Sequence, residues 1–168
     1  MNALNQLKWS DIVSPTLSPK EYLKKYKKKI KENYESYEPK SNVIIQIKEI
    51  IKSENQRLKI VALGADWCPD CIKNIPKMLK VIKLLNDGKV DMKILYGIMV
   101  NAFHKPGESR WHKKRSPPEA TNPMFDLKAL PTFYFFNKDG NYIGTIIERP
   151  KENSTLEEDI FEILEKTL

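Results

Sequence analysis

The chain has 168 residues, 40% of them apolar and 30% charged, with a formal net charge of +7. Those proportions point to a soluble, globular chain rather than a disordered one and fit one domain with an elaboration. No apolar run approaches the ~20 residues that span a bilayer, and residues 1–15 hold Lys8, Trp9 and Asp11 but no apolar stretch of a signal peptide.

The first helix signal is Ser18-Pro19-Lys20-Glu21. Ser18 can cap, Pro19 suits the first helical position, and Glu21 closes a capping box. Tyr22, Tyr26, Ile30, Tyr34 and Tyr37 follow at near-helical spacing, predicting one amphipathic helix that ends before Pro39. Val43, Ile44, Ile47, Ile50 and Ile51 form a second helical stripe after Ser41. Residues 43–47 alone could be a strand, but the longer period favours helix.

Leu58 to Leu63 reads as a buried strand, and Gly64-Ala65 leads into Trp67-Cys68-Pro69-Asp70-Cys71. From there Ile72, Ile75, Leu79, Ile82 and Leu85 recur at helical spacing until Asp87-Gly88. Val90 to Val100 is a second apolar strand, and residues 101–124 a long polar loop with four prolines, Pro106, Pro117, Pro118 and Pro123. Pro131 to Phe136 and Asn141 to Ile147 are strands joined by the hairpin signal Asn137-Lys138-Asp139-Gly140. Ser154-Thr155-Leu156-Glu157 reads as a capping box opening a last helix, with Leu156, Ile160, Ile163 and Leu164 on one face.

A strand-helix-strand unit must be parallel and right-handed, whereas the hairpin adds an antiparallel edge. The expectation is an α/β fold: a central mixed sheet of at least four strands flanked by helices. Residues 1–40 form an N-terminal helical extension and residues 41–168 the main domain.

The two cysteines, Cys68 and Cys71, lie in one C-x-x-C. A bridge between them closes almost no loop, so its value is chemical rather than structural, and a reducing, cytoplasmic location is expected. A thiolate at a helix mouth faces unpaired N–H groups and the positive end of the dipole. Cys68 is therefore the candidate nucleophile, and Cys71, one turn on, the resolving thiol. Asp70 places a negative charge beside the pair and should oppose thiolate formation. The alternatives are inert thiols or a metal site. One C-x-x-C supplies only two of the four ligands zinc needs, and His104 and His112 are spaced too widely for the usual histidine pair. No metal and no bound cofactor is expected.

Residues 65–71, Ala-Asp-Trp-Cys-Pro-Asp-Cys, resemble the active-site stretch of thioredoxin-like proteins, with Pro76 five residues after the second cysteine. Leu130-Pro131-Thr132-Phe133 resembles the family's cis-proline loop, and Lys138-Asp139-Gly140 its hairpin turn. The resemblance covers about residues 41–168. It implies a thioredoxin-like fold with Pro131 against the cysteines and the backbone of Leu130 pairing with an extended substrate. Trp67, Pro69, Asp70, Leu130, Pro131 and Thr132 become candidate substrate-binding residues. The chain departs from thioredoxin proper in having Pro-Asp between the cysteines, a longer loop before Pro131, an extra N-terminal helix, and Ala62 where the family has a buried acid. Proton removal from the resolving thiol then falls to another group, such as Asp66 or a water.

Basic residues gather at 24–31 and again in Lys105, Arg110, Lys113, Lys114 and Arg115. The first cluster reads as a solvated helix face and its tyrosines as core packing. The second, with Trp111, can be an ordinary surface loop, a gate for the site or an anion-binding patch; nucleic acid is the least expected ligand, and no membrane contact is expected. The function expected is reduction of protein disulfides by dithiol exchange, reset by a partner reductase or a low-molecular-weight thiol. The rivals are a small-thiol disulfide reductase or peroxidase-type enzyme, and a non-catalytic module binding through loop 104–115.

Overall fold

The computed structural model describes residues 3–85 and 88–167. Among the described residues, five α-helices, α1 (Pro19–Lys25), α2 (Lys27–Ser36), α3 (Ser41–Ser53), α4 (Pro69–Leu85) and α5 (Leu156–Thr167), accompany one sheet. Its strands are β1 (Leu58–Leu63), β2 (Val90–Leu95), β3 (Thr132–Phe136) and β4 (Tyr142–Ile147), in the order β2-β1-β3-β4. β1 runs parallel to β2 and antiparallel to β3, and β3 antiparallel to β4. The mixed α/β sheet expected from the sequence is thus observed.

β3 is central in role as well as position. Phe133, Tyr134, Phe135 and Phe136 are all fully buried, as a strand covered on both faces requires. The Tyr134 hydroxyl donates to the Phe125 carbonyl at 2.6 Å, so the buried phenol keeps a partner. In the following turn, Asn137 Oδ1 accepts from the amides of Asp139 and Asn141, both at 3.0 Å, while Gly140 takes φ +81°, which a side chain would resist.

The predicted N-terminal helix is two helices. Tyr26 leaves helical geometry at φ −107°, ψ 15°, and its ring stands 4.9 Å from that of Tyr22 and 5.3 Å from that of Tyr96. α2 stops at Ser36, consistent with the restriction a proline at 39 imposes on the residues before it. α2 packs on α4, and α3 on α4 and α5. Residues ahead of α1 strap the sheet: Trp9 N–H donates to Gly140 O at 2.9 Å, and Leu17 exchanges hydrogen bonds with Ile94 of β2. Leu7, Tyr22 and Ile30 join the buried core, which is continuous across residue 40.

Two carboxylates inside this packing are hydrogen-bonded to distant backbone. Glu119 Oε2 accepts from the amides of Val13 and Ser14 at 2.8 and 2.9 Å, and its Oε1 from the Ser14 hydroxyl at 2.6 Å. Glu157 accepts from the Tyr37 hydroxyl and, at 2.9 Å, from Lys40 N–H. That inward turn of Glu157 corrects the expected capping box. The box uses Thr155 and Glu158 instead, with Glu158 N–H to Thr155 Oγ1 at 3.3 Å and Thr155 N–H to Glu158 Oε1 at 3.1 Å.

β2 is also shorter than expected, ending at Leu95 rather than at 100. Gly97 turns the chain at φ +99°, and Val100 pairs with Trp111 instead of with the sheet. Of the predicted stop after α4, Gly88 is seen at φ +67°, while Asp87 lies outside the described residues.

Candidate active site

The end of β1 delivers Gly64 and Ala65 beneath the first turn of α4. Trp67 and Cys68 stand just before that helix, and Pro69, Asp70 and Cys71 lie in its first turn. Both cysteines are free thiols and both are buried. Cys71 N–H donates to Cys68 Sγ at 3.2 Å, an otherwise orphaned helix-start amide turned on the sulfur. Cys68 Sγ also lies 3.6 Å from the Leu130 carbonyl oxygen, to which its S–H donates. The Leu130–Pro131 peptide is cis.

The two thiols differ electrostatically. Hydrogen bonding from the Cys71 side chain pulls the Cys68 thiol below its ordinary range, against the upward push of burial. The amides of Cys71 and Asp70 add to the pull, and the Asp70 charge opposes it, as the sequence predicts. Cys71 moves the opposite way: its proton is held by the bond to Cys68 and by its own burial. The first cysteine therefore gives up its proton more readily than the second.

Ala62, which stands in the sequence where the resemblance would place a buried acid, is itself buried. Two tyrosines lie near Cys71. Tyr22 and Tyr96 hydroxyls are 2.7 Å apart, and burial pushes both phenols up. Tyr96 also borders a cavity of about 320 Å³ shared with Asp66, Lys25 and Tyr26. Asp66 thus stands at an opening beside the tyrosines.

Around Cys68, Trp67 leaves 45% of its surface exposed while its indole N–H donates to Ile98 O at 2.9 Å, which fixes the ring's edge. Leu130, Pro131 and Thr132 are buried on the other flank. The Thr132 hydroxyl donates to the Ala129 carbonyl at 2.7 Å, bracing the turn before the cis bond. Pro76 sits inside α4, where it cannot donate to the carbonyl four residues back; Asn33 Nδ2 donates to that carbonyl, of Ile72, at 3.2 Å. His104 and His112 bond to their own loop, through Asn101 O and the Arg115 amide. Among the described residues no cluster of three or more His, Cys, Asp or Glu side chains could hold a metal ion, and no helix is long and apolar enough to cross a membrane.

Sequence reasoning missed the tyrosine pair as part of the site, and the strap that carries Leu17 to β2. Only the helical spacing of Tyr22 hinted at the first; nothing local signals the second.

Comparison with known proteins agrees with the fold. A family model described as Thioredoxin matches residues 16–96, the stretch holding β1, both cysteines, α4 and β2. Among solved structures, the crystal structure of an HIV epitope-scaffold is similar at 16% identity and a TM-score of 0.58, over 98% of this chain and 97% of that one. A protein of unknown function from Pseudomonas aeruginosa is similar at 17% identity and a TM-score of 0.49, over 98% and 96% of the two chains. No curated protein matches the sequence. The chain therefore has a thioredoxin-like α/β fold, and its two cysteines, three positions apart, form a pair consistent with a redox site.

Proposed function

We propose that the protein is a thiol–disulfide oxidoreductase that reduces polypeptide disulfides by dithiol exchange. The observation that carries this reading is the Cys71 N–H turned on the Cys68 sulfur at 3.2 Å, with the Cys68 thiol drawn down by its bonds to Cys71 and the Cys71 thiol pushed up by its bond to Cys68 and by burial.

The Cys68 thiolate attacks one sulfur of the substrate disulfide. A Cys68–substrate bond forms, the substrate S–S bond breaks, and the departing sulfur takes a proton. Cys71 then loses its proton and attacks Cys68 Sγ. The Cys68–Cys71 disulfide forms and the second substrate thiol leaves, so the substrate gains the two electrons the cysteines give up. A reductase or low-molecular-weight thiol resets the pair, and a cytoplasmic poise favours this direction. Leu130, beside Cys68, supplies backbone for an extended substrate, with Trp67 on the opposite flank.

The test is trapping. Cys71→Ser should accumulate a mixed disulfide at Cys68 with a disulfide-bearing peptide, and Cys68→Ser should neither trap nor reduce. Trapping at Cys71 in the Cys68→Ser protein would reverse the roles and overturn this mechanism.

A further inference from the structure

The loop between β2 and β3 is tied at its start to Trp67, the neighbour of Cys68, and folds onto its own closing segment before Leu130, whose carbonyl lies 3.6 Å from Cys68 Sγ. At the start the Trp67 indole holds Ile98. Further along, the Trp111 indole N–H donates to Leu127 O at 2.8 Å and an Arg110 Nη1–H to Lys128 O at 2.6 Å, just ahead of Leu130. Between these anchors the loop doubles back on itself. His112 N–H donates to Met99 O and Asn101 N–H to Arg110 O, both at 2.7 Å, with Trp111 buried beneath. The result is a supported arm, and what it presents is unusual for a surface loop. Phe103 is 92% exposed, and Met99, Val100 and Trp67 are exposed along its base. Residues 99–115 carry Lys105, Arg110, Lys113, Lys114 and Arg115 but a single acid, Glu108, and none of the five cations is ion-paired among the described residues.

Exposed aromatic and aliphatic surface rimmed by unpaired charge of one sign marks a surface that meets a partner. We propose that residues 99–115 form a docking arm for an acidic polypeptide segment with an apolar side chain near its disulfide, so positioned that the disulfide meets Cys68. This rests on the oxidoreductase reading and narrows its substrate class. A small-thiol disulfide would need only the surroundings of Cys68 and would leave the arm unused. Nucleic acid would use the charge but not the arm's attachment to Trp67 beside Cys68.

Two peptides of equal length carrying the same disulfide and a leucine, one acidic and one basic, test the proposal beside oxidised glutathione. The acidic peptide should be reduced with kcat/KM about tenfold above the basic one at low salt, an advantage that shrinks as screening increases. Lys113→Glu with Lys114→Glu should remove that advantage through KM, leaving kcat and glutathione reduction unchanged. Phe103→Ser, at a site with no packing to lose, should raise KM for both peptides. Equal rates for the two peptides, or variants indistinguishable from wild type, would overturn the docking arm while leaving the redox reading intact. If no disulfide is reduced, the oxidoreductase reading fails, and fluorescence anisotropy of a labelled acidic peptide with serines for cysteines decides the arm alone. Binding weakened by the two Lys→Glu changes supports it; no binding, or tighter binding of a single-stranded oligonucleotide, refutes it.

Discussion

Replacing Gly64 by alanine should injure the fold and the thiol chemistry together. A Cβ at that position would lie 2.8 Å from Tyr96 Cε1 and 2.9 Å from Cys71 Sγ, closer than real carbon contacts come, with Ile75 Cδ1 at 3.4 Å. Neither crowded group moves freely. The Tyr96 ring is held by the Tyr22 hydroxyl and by edge contacts to Tyr22 and Tyr26, and Cys71 is fully buried in the first turns of α4. Overpacking of this kind costs about 1–3 kcal/mol, which for a chain this long lowers Tm by roughly 2–4 °C per kcal/mol. Displacing Cys71 Sγ also weakens the bond that holds the Cys68 thiol down, so the pH midpoint of Cys68 alkylation should rise. Gly144→Ala is the control. Its Cβ would meet Ile163 Cγ2 at 2.7 Å, where β4 packs on α5, so it should lower Tm and leave alkylation alone. A Gly64→Ala protein with unchanged Tm and an unchanged alkylation midpoint would refute the close-packed arrangement of Gly64, Tyr96 and Cys71.

In the unaltered protein, the alkylation rate of Cys68 should rise with pH about a midpoint below that of a free cysteine. Asp70→Asn, by removing a charge that raises the thiol, should move it lower still; an upward shift would show that Asp70 acts otherwise. Glu157→Ala leaves the Tyr37 hydroxyl and the Lys40 amide without their acceptor and should cost about 1–3 kcal/mol in urea unfolding. The loss should be less than additive with Tyr37→Phe, and full additivity would deny the bond. For Glu119, burial pushes the carboxyl up, but the Ser14 hydroxyl and the Ser14 and Val13 amides outweigh it and hold it below its ordinary range. Its folded value is thus below its unfolded one. The contribution is present above the unfolded value of about 4.3 and lost as pH falls through the folded one. Glu119→Gln should lower the urea midpoint near neutrality and flatten its fall in acid; an acid limb as steep as wild type would contradict this assignment.

Elements whose signals are local were legible in the sequence. β1, α4 and β3 show continuous or periodic apolar runs, and the β3–β4 turn carries its Asn and Gly at the positions that need them. Cys68 and Cys71 were legible because thiols at a helix mouth have a chemical reason to be there. What escaped depends on partners far along the chain. Nothing near Trp9 or Leu17 names Gly140 or Ile94, and the break at Tyr26 accompanies ring contacts to Tyr96, seventy residues on. The register of the α5 capping box could not be chosen locally, since both Ser154–Glu157 and Thr155–Glu158 fit the pattern. The choice is made by Tyr37 and Lys40, which draw Glu157 inward. β2 was overextended because Ile98, Met99 and Val100 are as apolar as a strand, yet Gly97 turns them into the base of the loop.

The most direct test of the oxidoreductase account is an equilibrium redox titration of the Cys68–Cys71 pair, followed by thiol labelling and intact mass. The account predicts one reversible two-electron transition, with both thiols lost together, a mass decrease of about 2 Da on oxidation, and no transition in Cys68→Ser. Two thiols that remain reduced across the range, or that oxidise independently without forming the Cys68–Cys71 bond, would contradict it.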